Sequence, residues 1–404
     1  MSAQSFIVAA KRTPFGAFGG KLKDLTANEL GGIAAKAAVA TLPANVQAHL
    51  ANSPSPRQSV IFGNVLQTST DAPYLARHVG HRAGLPVTTP ANTINRLCTS
   101  GFQSIICAVQ EIKADDSDIV VTGGSESMSQ APYILRNVRW GTKFGPEYLK
   151  MEDSLMSALS DRHPEVVPMA ITAERLAEQY NISREECDNF ALESQRRWAS
   201  ANQAGVFNAE IAPIEVKVKR STETMAADEH PRPQTTIEAL ARLSPVFKKE
   251  GVVTAGNASG ISDGASAVIV ASEAAVKQHN IKPIARIVSY HVVGVEPGIM
   301  GIGPVEAIRG AVQKAGLSLQ QMDLIEINEA FAAQVLSCAK ALDIDPSKLN
   351  ASGGAIALGH PLGASGSRIM GHLAHRLQET GGRYAVGSAC AGGGQGVAII
   401  IERV

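Results

Sequence analysis

The chain has 404 residues, more than the roughly 100–200 of one typical domain, so we expect two or three packed units. Hydrophobic residues make up 45% of it and charged residues 18%, which excludes intrinsic disorder and a small disulfide scaffold. Lys and Arg number 37, as do Asp and Glu, and this neutral balance speaks against nucleic acid as a partner. Residues 384–401 lack charge, but their glycines make a poor membrane span, so no integral membrane association is expected.

Short apolar runs alternate with helical patterns along the chain. The first run, residues 6–10, predicts a strand and not a signal peptide. Residues 102–112 carry apolar side chains at helical spacing, which predicts an amphipathic helix just after Cys98. Buried strands are predicted at 119–121, 268–270, 324–327 and 397–401. This alternation predicts an α/β fold.

The two ends of the chain resemble each other. Residues 100–101 match 365–366, and residues 120–123 match 385–388 at the same offset. Residues 61–64 match 325–328 at an offset only one residue smaller. We therefore expect two duplicated α/β halves.

A more highly charged segment separates these halves. About a quarter of residues 131–260 are charged, against about one in seven elsewhere, and both tryptophans lie in this segment. We expect an N-terminal half over 1–130, completed by about 261–283. Residues 131–260 then form an inserted domain, and residues 284–404 form the C-terminal half.

Cys98 is the first candidate for catalysis. It lies between an extended run and a predicted helix that Thr99 or Ser100 can cap. Because the helix macrodipole stabilises a thiolate, we expect a lowered pKa and a nucleophilic role. The alternative is a buried and inert cysteine.

The other cysteines divide into two groups. An odd total of five, without a CxxC pair, predicts free thiols in a reducing compartment and no zinc site. Cys390 lies among glycines after a predicted strand, where we expect a tight turn that exposes its thiol and nearby N–H groups, or small residues that merely pack. Cys107, Cys187 and Cys338 lie in helical patterns and are expected to serve packing.

A Gly-rich loop over residues 350–366 carries His360, and a helix is predicted to begin at Ser367. With a pKa near neutrality, His360 suits a general base, although a histidine in a turn before proline is the alternative. The loop has neither a Walker sequence nor the GxGxxG of a dinucleotide site. Asn328, at the end of a predicted strand, is placed to hold water or a carbonyl or to cap a helix.

No function is predicted for two further histidines. His372 and His375 lie three residues apart in a helical pattern, with no carboxylate near them in sequence. A metal site is therefore not expected there.

Five motifs in order resemble the thiolase family: Asn95–Gly101, Asn257–Gly260, Asn328–Ala332, Gly359–Gly363 and Cys390–Gly396. Within that family, the chain resembles the mitochondrial 3-ketoacyl-CoA thiolases. This resemblance implies a thiolase fold, a layered αβαβα sandwich of two halves with an inserted loop domain that binds CoA. It also implies a homo-oligomer, dimer or tetramer, and no permanently bound cofactor, with coenzyme A as co-substrate.

The resemblance further implies thiolytic cleavage of 3-ketoacyl-CoA by CoA to acetyl-CoA and a shortened acyl-CoA, as in fatty-acid β-oxidation. Cys98 would be the nucleophile, His360 its base and Cys390 the second acid and base. A water on Asn328, together with His360, would serve one oxyanion, and the N–H groups of Cys98 and Gly392 the other.

The resemblance also carries over contacts to CoA: Ser259 near the pantetheine, and Arg232 with Thr235 near the nucleotide. Thr99 stands where relatives commonly have a smaller residue, so crowding of the nucleophile is expected. Pro168 replaces a histidine of the biosynthetic acetoacetyl-CoA thiolases, which favours a degradative enzyme.

Two alternatives to a degradative enzyme stay open from sequence, the biosynthetic reaction and a noncatalytic acyl-CoA binder. The compartment also stays open. Basic residues before Asp24 resemble a mitochondrial address, so we expect a mitochondrial matrix protein, with a bacterial cytoplasm as the alternative.

Overall fold

The structure, a computed structural model, describes residues 4–52, 57–141, 149–218 and 220–404. Its strands are β1 Ser5–Arg12, β2 Gly16–Ala17, β3 Gln58–Gly63, β4 Ala91–Ile94, β5 Ile119–Ser127, β6 Tyr133–Leu135, β7 Met151–Asp153, β8 Ser160–Asp161, β9 Val167–Pro168, β10 Ile214–Val218, β11 Ser221–Met225, β12 Ser262–Ser272, β13 Ala285–Gly294, β14 Leu324–Ile327, β15 Tyr384–Ala391 and β16 Gln395–Arg403.

The helices include one long pair, α4 and α13, that lies at the centre of the molecule. The α-helices are α1 Ala27–Ala40, α2 Ala44–Asn52, α3 Leu75–Arg82, α4 Ser100–Lys113, α5 Ser154–Ala158, α6 Met169–Tyr180, α7 Arg184–Gln203, α8 Ile237–Ala241, α9 Glu273–Gln278, α10 Gly303–Ala315, α11 Ala332–Leu342, α12 Ala355–Leu358 and α13 Leu362–Thr380.

The main sheet repeats one arrangement of strands. In the first half the order is β1-β12-β5-β3-β4, with β12 antiparallel to β1 and β5, and with β3 parallel to β5 and β4. In the second half the order is β13-β16-β15-β14, with the same succession of two antiparallel pairs and one parallel pair. The halves join where residues 5–7 of β1 pair with residues 285–287 of β13. This topology agrees with the duplication predicted from sequence.

Helices and strands form five layers. Helices α1 and α3 cover the outer face of the first half, and α10 and α11 cover that of the second. Helices α4 and α13 fill the space between the two halves. Strand β12 packs against helices on both of its faces, because successive side chains point to opposite sides of a strand. Val268 and Val270 face the central helices, while Ile269 faces the outer ones. The predicted αβαβα sandwich is therefore observed.

The predicted strands and the helix after Cys98 are all present, but two boundaries differ. Helix α13 begins at Leu362 and not at Ser367, because Pro361 supplies its N-cap and the small residues that follow fit the crowded centre. Strand β15 extends through Ala391, so Cys390 lies in a strand, and only residues 392–394 form the turn. The prediction of Cys390 in the turn is wrong.

The segment over residues 131–260 folds against the second half and the central helix. Helices α6 and α7 pack on α11 and α12 through an apolar cluster that includes Ala332 and Ile356. Buried ion pairs also hold this segment, since Glu210 and Asp228 both bind Arg12 of β1 at 2.7 and 2.6 Å. Arg12 is thus a core residue; residues 1–3 of the basic opening segment lie outside the described residues.

None of the described helices is both long and apolar enough to span a membrane. All five cysteines are free thiols. Cys107, Cys187 and Cys338 lie in α4, α7 and α11, as predicted.

Candidate active site

A cavity of about 280 Å³ opens at the ends of the central helices, and three predicted catalytic residues line it. Cys98 comes from the loop before α4, His360 from the loop before α13, and Cys390 from the end of β15. Most of the remaining wall is apolar, with methionines from several elements. The fold therefore brings together residues that lie almost 300 positions apart in the chain.

The loop that presents Cys98 is tightly held. Leu97 adopts a left-handed backbone with φ of +50°, which is uncommon for a residue other than glycine. Its N–H donates to Asn95 Oδ1 at 2.8 Å, and Ser100 Oγ donates to its carbonyl at 2.7 Å. These bonds stabilise the strained turn and direct Cys98 into the cavity.

The expected cap and the expected crowding both differ from the structure. Thr99 holds the N-cap position of α4, but its side chain makes no capping bond. Thr99 Oγ1 donates instead to Arg96 O at 2.8 Å, and Thr99 is not part of the cavity wall. The Thr99 side chain is therefore bonded within its own loop and does not line the cavity.

The pKa of Cys98 moves in the direction opposite to the prediction. Burial raises the pKa of the thiol to about 11, although hydrogen bonding to the backbone N–H groups of Cys98 and Gly392 opposes this rise. The buried carboxylate of Glu126 raises it further. The expected lowering of the Cys98 pKa is therefore wrong, because loss of water outweighs the hydrogen bonds from the two N–H groups.

His360 is buried beside Cys98 and is held at both ring nitrogens. Nδ1 lies 2.6 Å from Ser365 Oγ, and Nε2 lies 3.3 Å from Asn328 Nδ2. The preceding Gly359 has φ of +94°, and a Cβ there would lie 2.7 Å from Ser262 Oγ, so only glycine fits.

The resting charge of His360 also differs from the prediction. Burial, and after it the positive charge of Arg368, lower the pKa of His360 to about 3. A pKa near neutrality was expected, but that value applies to an imidazole in water. The resting site therefore holds a neutral thiol and a neutral imidazole.

Asn328 follows β14, as its position in sequence predicts, and is buried next to His360. Its Oδ1 has no hydrogen-bond partner among the described residues. Because a buried unpaired carbonyl is costly, this oxygen is a suitable point to hold one water.

The turn after Cys390 brings Gly392 to the nucleophile. Gly392 packs against the loop of the nucleophile from the opposite half of the molecule, since a Cβ on it would lie 3.3 Å from Leu97 Cδ1, and its N–H opposes the rise in the Cys98 pKa. Burial raises the pKa of Cys390 well above its ordinary value, and the neighbouring Cys98 adds to this rise. Cys390 is therefore also a neutral thiol at rest.

The residues expected to contact CoA are less closely grouped. Ser259 lines the cavity, as does Pro168. Arg232 and Thr235 do not line it; they lie in a turn of the inserted segment, where Thr235 N and Oγ1 donate to Arg232 O at 3.0 and 2.7 Å. The Arg232 side chain is exposed.

Sequence reasoning misses two buried residues that shape the site. Ser365 contacts His360, and Glu126 accepts hydrogen bonds from two N–H groups of the loop after β3 and from Gly363 N. Burial raises the pKa of Glu126 to about 7. A lone acid that follows the β-branched run at the start of β5 is the signal that could have revealed Glu126.

Comparison with known proteins agrees with this geometry. The models of the thiolase N-terminal and C-terminal domains match residues 5–274 and 281–403. The mouse (Mus musculus) protein named 3-ketoacyl-CoA thiolase, mitochondrial, is 62% identical over 399 residues, which are 98% of each chain.

Solved structures give the same result. The crystal structure of human mitochondrial 3-ketoacyl-CoA thiolase aligns with a TM-score of 0.95 at 61% identity, covering 100% of this chain and 99% of its own. The human enzyme in complex with CoA aligns with a TM-score of 0.94 at 61% identity, covering 100% and 98%. These similarities confirm the resemblance indicated by the sequence motifs, and the chain belongs to the thiolase family.

Proposed function

We propose that the protein cleaves 3-ketoacyl-CoA with CoA, giving acetyl-CoA and an acyl-CoA two carbons shorter, as in fatty-acid β-oxidation. The observation that carries this proposal is the meeting of Cys98, His360 and Cys390 in one cavity. The mouse and human relatives named above support the assignment of the substrate.

In the first half-reaction, His360 Nε2 takes the proton of Cys98 as the sulfur attacks the keto carbon C3. The N–H groups of Cys98 and Gly392 stabilise the resulting oxyanion. The C2–C3 bond then breaks, leaving the acyl group on Cys98. Cys390 donates its proton to C2 of the departing enolate, and acetyl-CoA leaves.

The enolate needs its own stabilisation while C2 is negatively charged. Protonated His360 and a water on Asn328 Oδ1 would face the thioester oxygen that carries this charge. The Cys98 thiol and the His360 imidazole are both neutral at rest. Their charges therefore appear only when substrate fills the cavity and excludes water.

In the second half-reaction, the Cys390 thiolate takes the proton of an incoming CoA thiol. The CoA sulfur attacks the acyl-cysteine carbonyl, whose oxygen again lies at the N–H groups of Cys98 and Gly392. The bond to Cys98 breaks, and its sulfur recovers the proton from His360. All three side chains return to their starting states.

We further propose that CoA binds with its pantetheine beside Ser259 and its nucleotide near Arg232 and Thr235. The exposed guanidinium of Arg232 is free to meet an anionic group. In this proposal CoA acts as a co-substrate, and the enzyme needs no permanently bound cofactor or metal.

We also propose that the chain divides into three units, 1–130 with 261–283, 131–260 and 284–404. The position of β12 within the first half supports this division.

We propose that the protein is a homo-oligomer, which is supported by β4, an edge strand with exposed Ala91 and Asn92. The mitochondrial matrix is the proposed compartment, because several relatives are named mitochondrial, with a bacterial cytoplasm as the alternative.

The test follows the CoA-dependent loss of absorbance of the magnesium enolate of a medium-chain 3-ketoacyl-CoA and of acetoacetyl-CoA. Native protein should cleave both substrates, and Cys98→Ala should cleave neither. Cleavage of acetoacetyl-CoA alone would indicate the biosynthetic reaction instead. Binding of CoA without turnover of either substrate would contradict the proposal and indicate an acyl-CoA binder.

A further inference from the structure

The two N–H groups at the Cys98 sulfur belong to different halves of the molecule. Cys98 lies in the loop before α4, and Gly392 lies in the turn between β15 and β16, where a Cβ would lie 3.3 Å from Leu97 of that loop. An oxyanion needs both donors within hydrogen-bond distance at the same time. Their separation therefore depends on how the loop of one half is held against the turn of the other.

One side chain joins this loop to this turn. Arg96, two residues before Cys98, donates from Nη1 to Gln395 Oε1 at 2.7 Å. Its Nε donates to Gln103 Oε1 at 2.8 Å, and Gln103 lies one turn into α4. Arg96 thus binds its own helix and the opposite half with one rigid, planar group.

Gln395 is a fixed anchor for this bond. It begins β16, three residues after Gly392, and pairs with Ala391 of β15. Its carbonyl packs so closely on Gly303 that a Cβ there would lie 2.4 Å away. The neighbouring Gly394 carbonyl accepts a bond from Val295 N at 2.7 Å. The backbone beside Gly392 is therefore held by contacts that do not involve Arg96.

The loop, by contrast, contains the strained residue of the site. Leu97, with φ of +50°, lies directly between Arg96 and Cys98. Such a backbone persists only where the surrounding contacts determine it. The bonds that Leu97 makes with Asn95 and Ser100 are local to the loop, whereas the bond from Arg96 to Gln395 reaches the other half.

We propose that Arg96 and Gln395 form a positioning pair that sets the spacing of the Cys98 and Gly392 N–H groups around the acyl-cysteine oxygen. Neither side chain lines the cavity, so neither acts on the substrate directly. The inference rests on the proposed function, because it assigns a cause to the geometry of the same oxyanion site.

The test uses Arg96→Met, Gln395→Met and the double variant, which keep similar volume but cannot form the bond. Misplacement of one donor should lower kcat for thiolysis by about 10- to 100-fold. KM for CoA should stay within about twofold, since the cavity wall is unchanged. The double variant should lose no more than the larger single loss, because one bond is removed in all three.

Gln395→Glu is the conservative variant, since a carboxylate still accepts from Arg96. It should keep kcat within about threefold of the native value. Gln378→Met, in the exposed last turns of α13, is the matched control and should leave kcat and KM unchanged. A loss with Gln395→Glu equal to that of Gln395→Met would overturn the proposal, as would single losses that multiply in the double variant.

A second readout does not require turnover. The Gly392 N–H opposes the rise in the Cys98 pKa, so its displacement should move the pH profile of Cys98 alkylation by iodoacetamide to higher pH. Gln395→Glu should restore the native profile. If the native protein shows no thiolysis, the proposed function fails, yet this profile still decides the inference. Identical profiles in native protein and both Met variants would reject the positioning role.

Discussion

Ser365 Oγ lies 2.6 Å from Nδ1 of His360 and 3.0 Å from the carbonyl oxygen of Pro361. The serine has one proton, and when it donates to Pro361 its oxygen accepts from Nδ1–H. Nε2 then carries the lone pair, which is the arrangement that faces the Asn328 amide N–H. We assign this tautomer from the hydrogen-bond network. It is the form in which His360 can take a proton from Cys98.

Ser365→Ala should therefore lower kcat by about tenfold, because Nδ1–H loses its acceptor and the ring loses its fixed orientation. Ser365→Thr keeps the hydroxyl and should recover most of the activity. The measurement is kcat and KM for thiolysis, across pH, in native protein and both variants.

Ser367→Ala is the control for that change. Ser367 is also buried in α13, but its hydroxyl bonds only to backbone carbonyls, Ala364 O at 3.0 Å and Ser266 O at 3.4 Å. Its loss should leave kcat near the native value. An equal loss in both serine variants would assign the effect to the packing of α13 and not to His360.

Alkylation of Cys98 should rise steeply with pH in the free enzyme. With a pKa raised to about 11 by burial, the thiolate fraction grows about tenfold per pH unit between pH 7 and 10. The rate of iodoacetamide addition, followed by mass spectrometry, should show no plateau in this range. Cys98→Ala measures the background from the other thiols. A plateau near pH 8 would restore the lowered pKa expected at a helix N-terminus.

Glu126→Gln should destabilise the fold. Oε1 accepts from Asn64 Nδ2 and Leu66 N at 3.1 and 2.9 Å, and Oε2 accepts from Val65 N and Gly363 N at 3.1 and 2.8 Å. An amide would turn an NH₂ group toward two of these donors. The expected loss in free energy of unfolding is about 1–3 kcal/mol.

Chemical denaturation of native and variant protein measures the Glu126 effect. Glu306→Gln, which alters an exposed ion pair with Arg309, is the control and should change stability by less than about 0.5 kcal/mol. Equal midpoints for native protein and Glu126→Gln would show that the four hydrogen bonds contribute nothing measurable.

Arg12→Met should cost more than any change to a surface ion pair. Arg12 is 1% exposed and binds both Glu210 and Asp228, so the variant leaves the buried Asp228 without its cation and leaves the buried Glu210 with His372 as its remaining partner. The expected loss is about 3–5 kcal/mol, again from denaturation midpoints. Lys277→Met breaks the exposed pair with Glu273 and should lie within about 0.5 kcal/mol of native. Similar effects of both changes would contradict a structural role for the buried cluster.

Local patterns in the sequence are sufficient for much of the fold. Apolar residues at helical spacing locate α4, and β-branched runs locate β5, β12, β14 and β16, since both signals depend on neighbours in sequence. The start of α13 is missed because Gly363 and Gly366 are poor helix formers. They are required there by close contacts, since a Cβ on Gly366 would lie 2.4 Å from Phe102 N.

For the site, the sequence predicts which residues take part but not their pKa values. Cys98, His360 and Cys390 stand out in sequence because their residue types and glycine-rich surroundings are unusual. Their pKa values do not, because burial is the sum of contacts from many elements. The partner of His372 shows the same limit: Glu210 lies 2.8 Å away in space but 162 residues away in the chain.

The position of β12 in the chain determines when the sheet of the first half can be completed during synthesis. It lies between β1 and β5 in the sheet, yet it is synthesised only after the whole inserted segment. At about 5–20 residues per second, β1 and β5 stay without their common neighbour for on the order of ten seconds of translation. During that interval two apolar strands have open edges, so the nascent chain is most prone to aggregate before residue 272 leaves the ribosome.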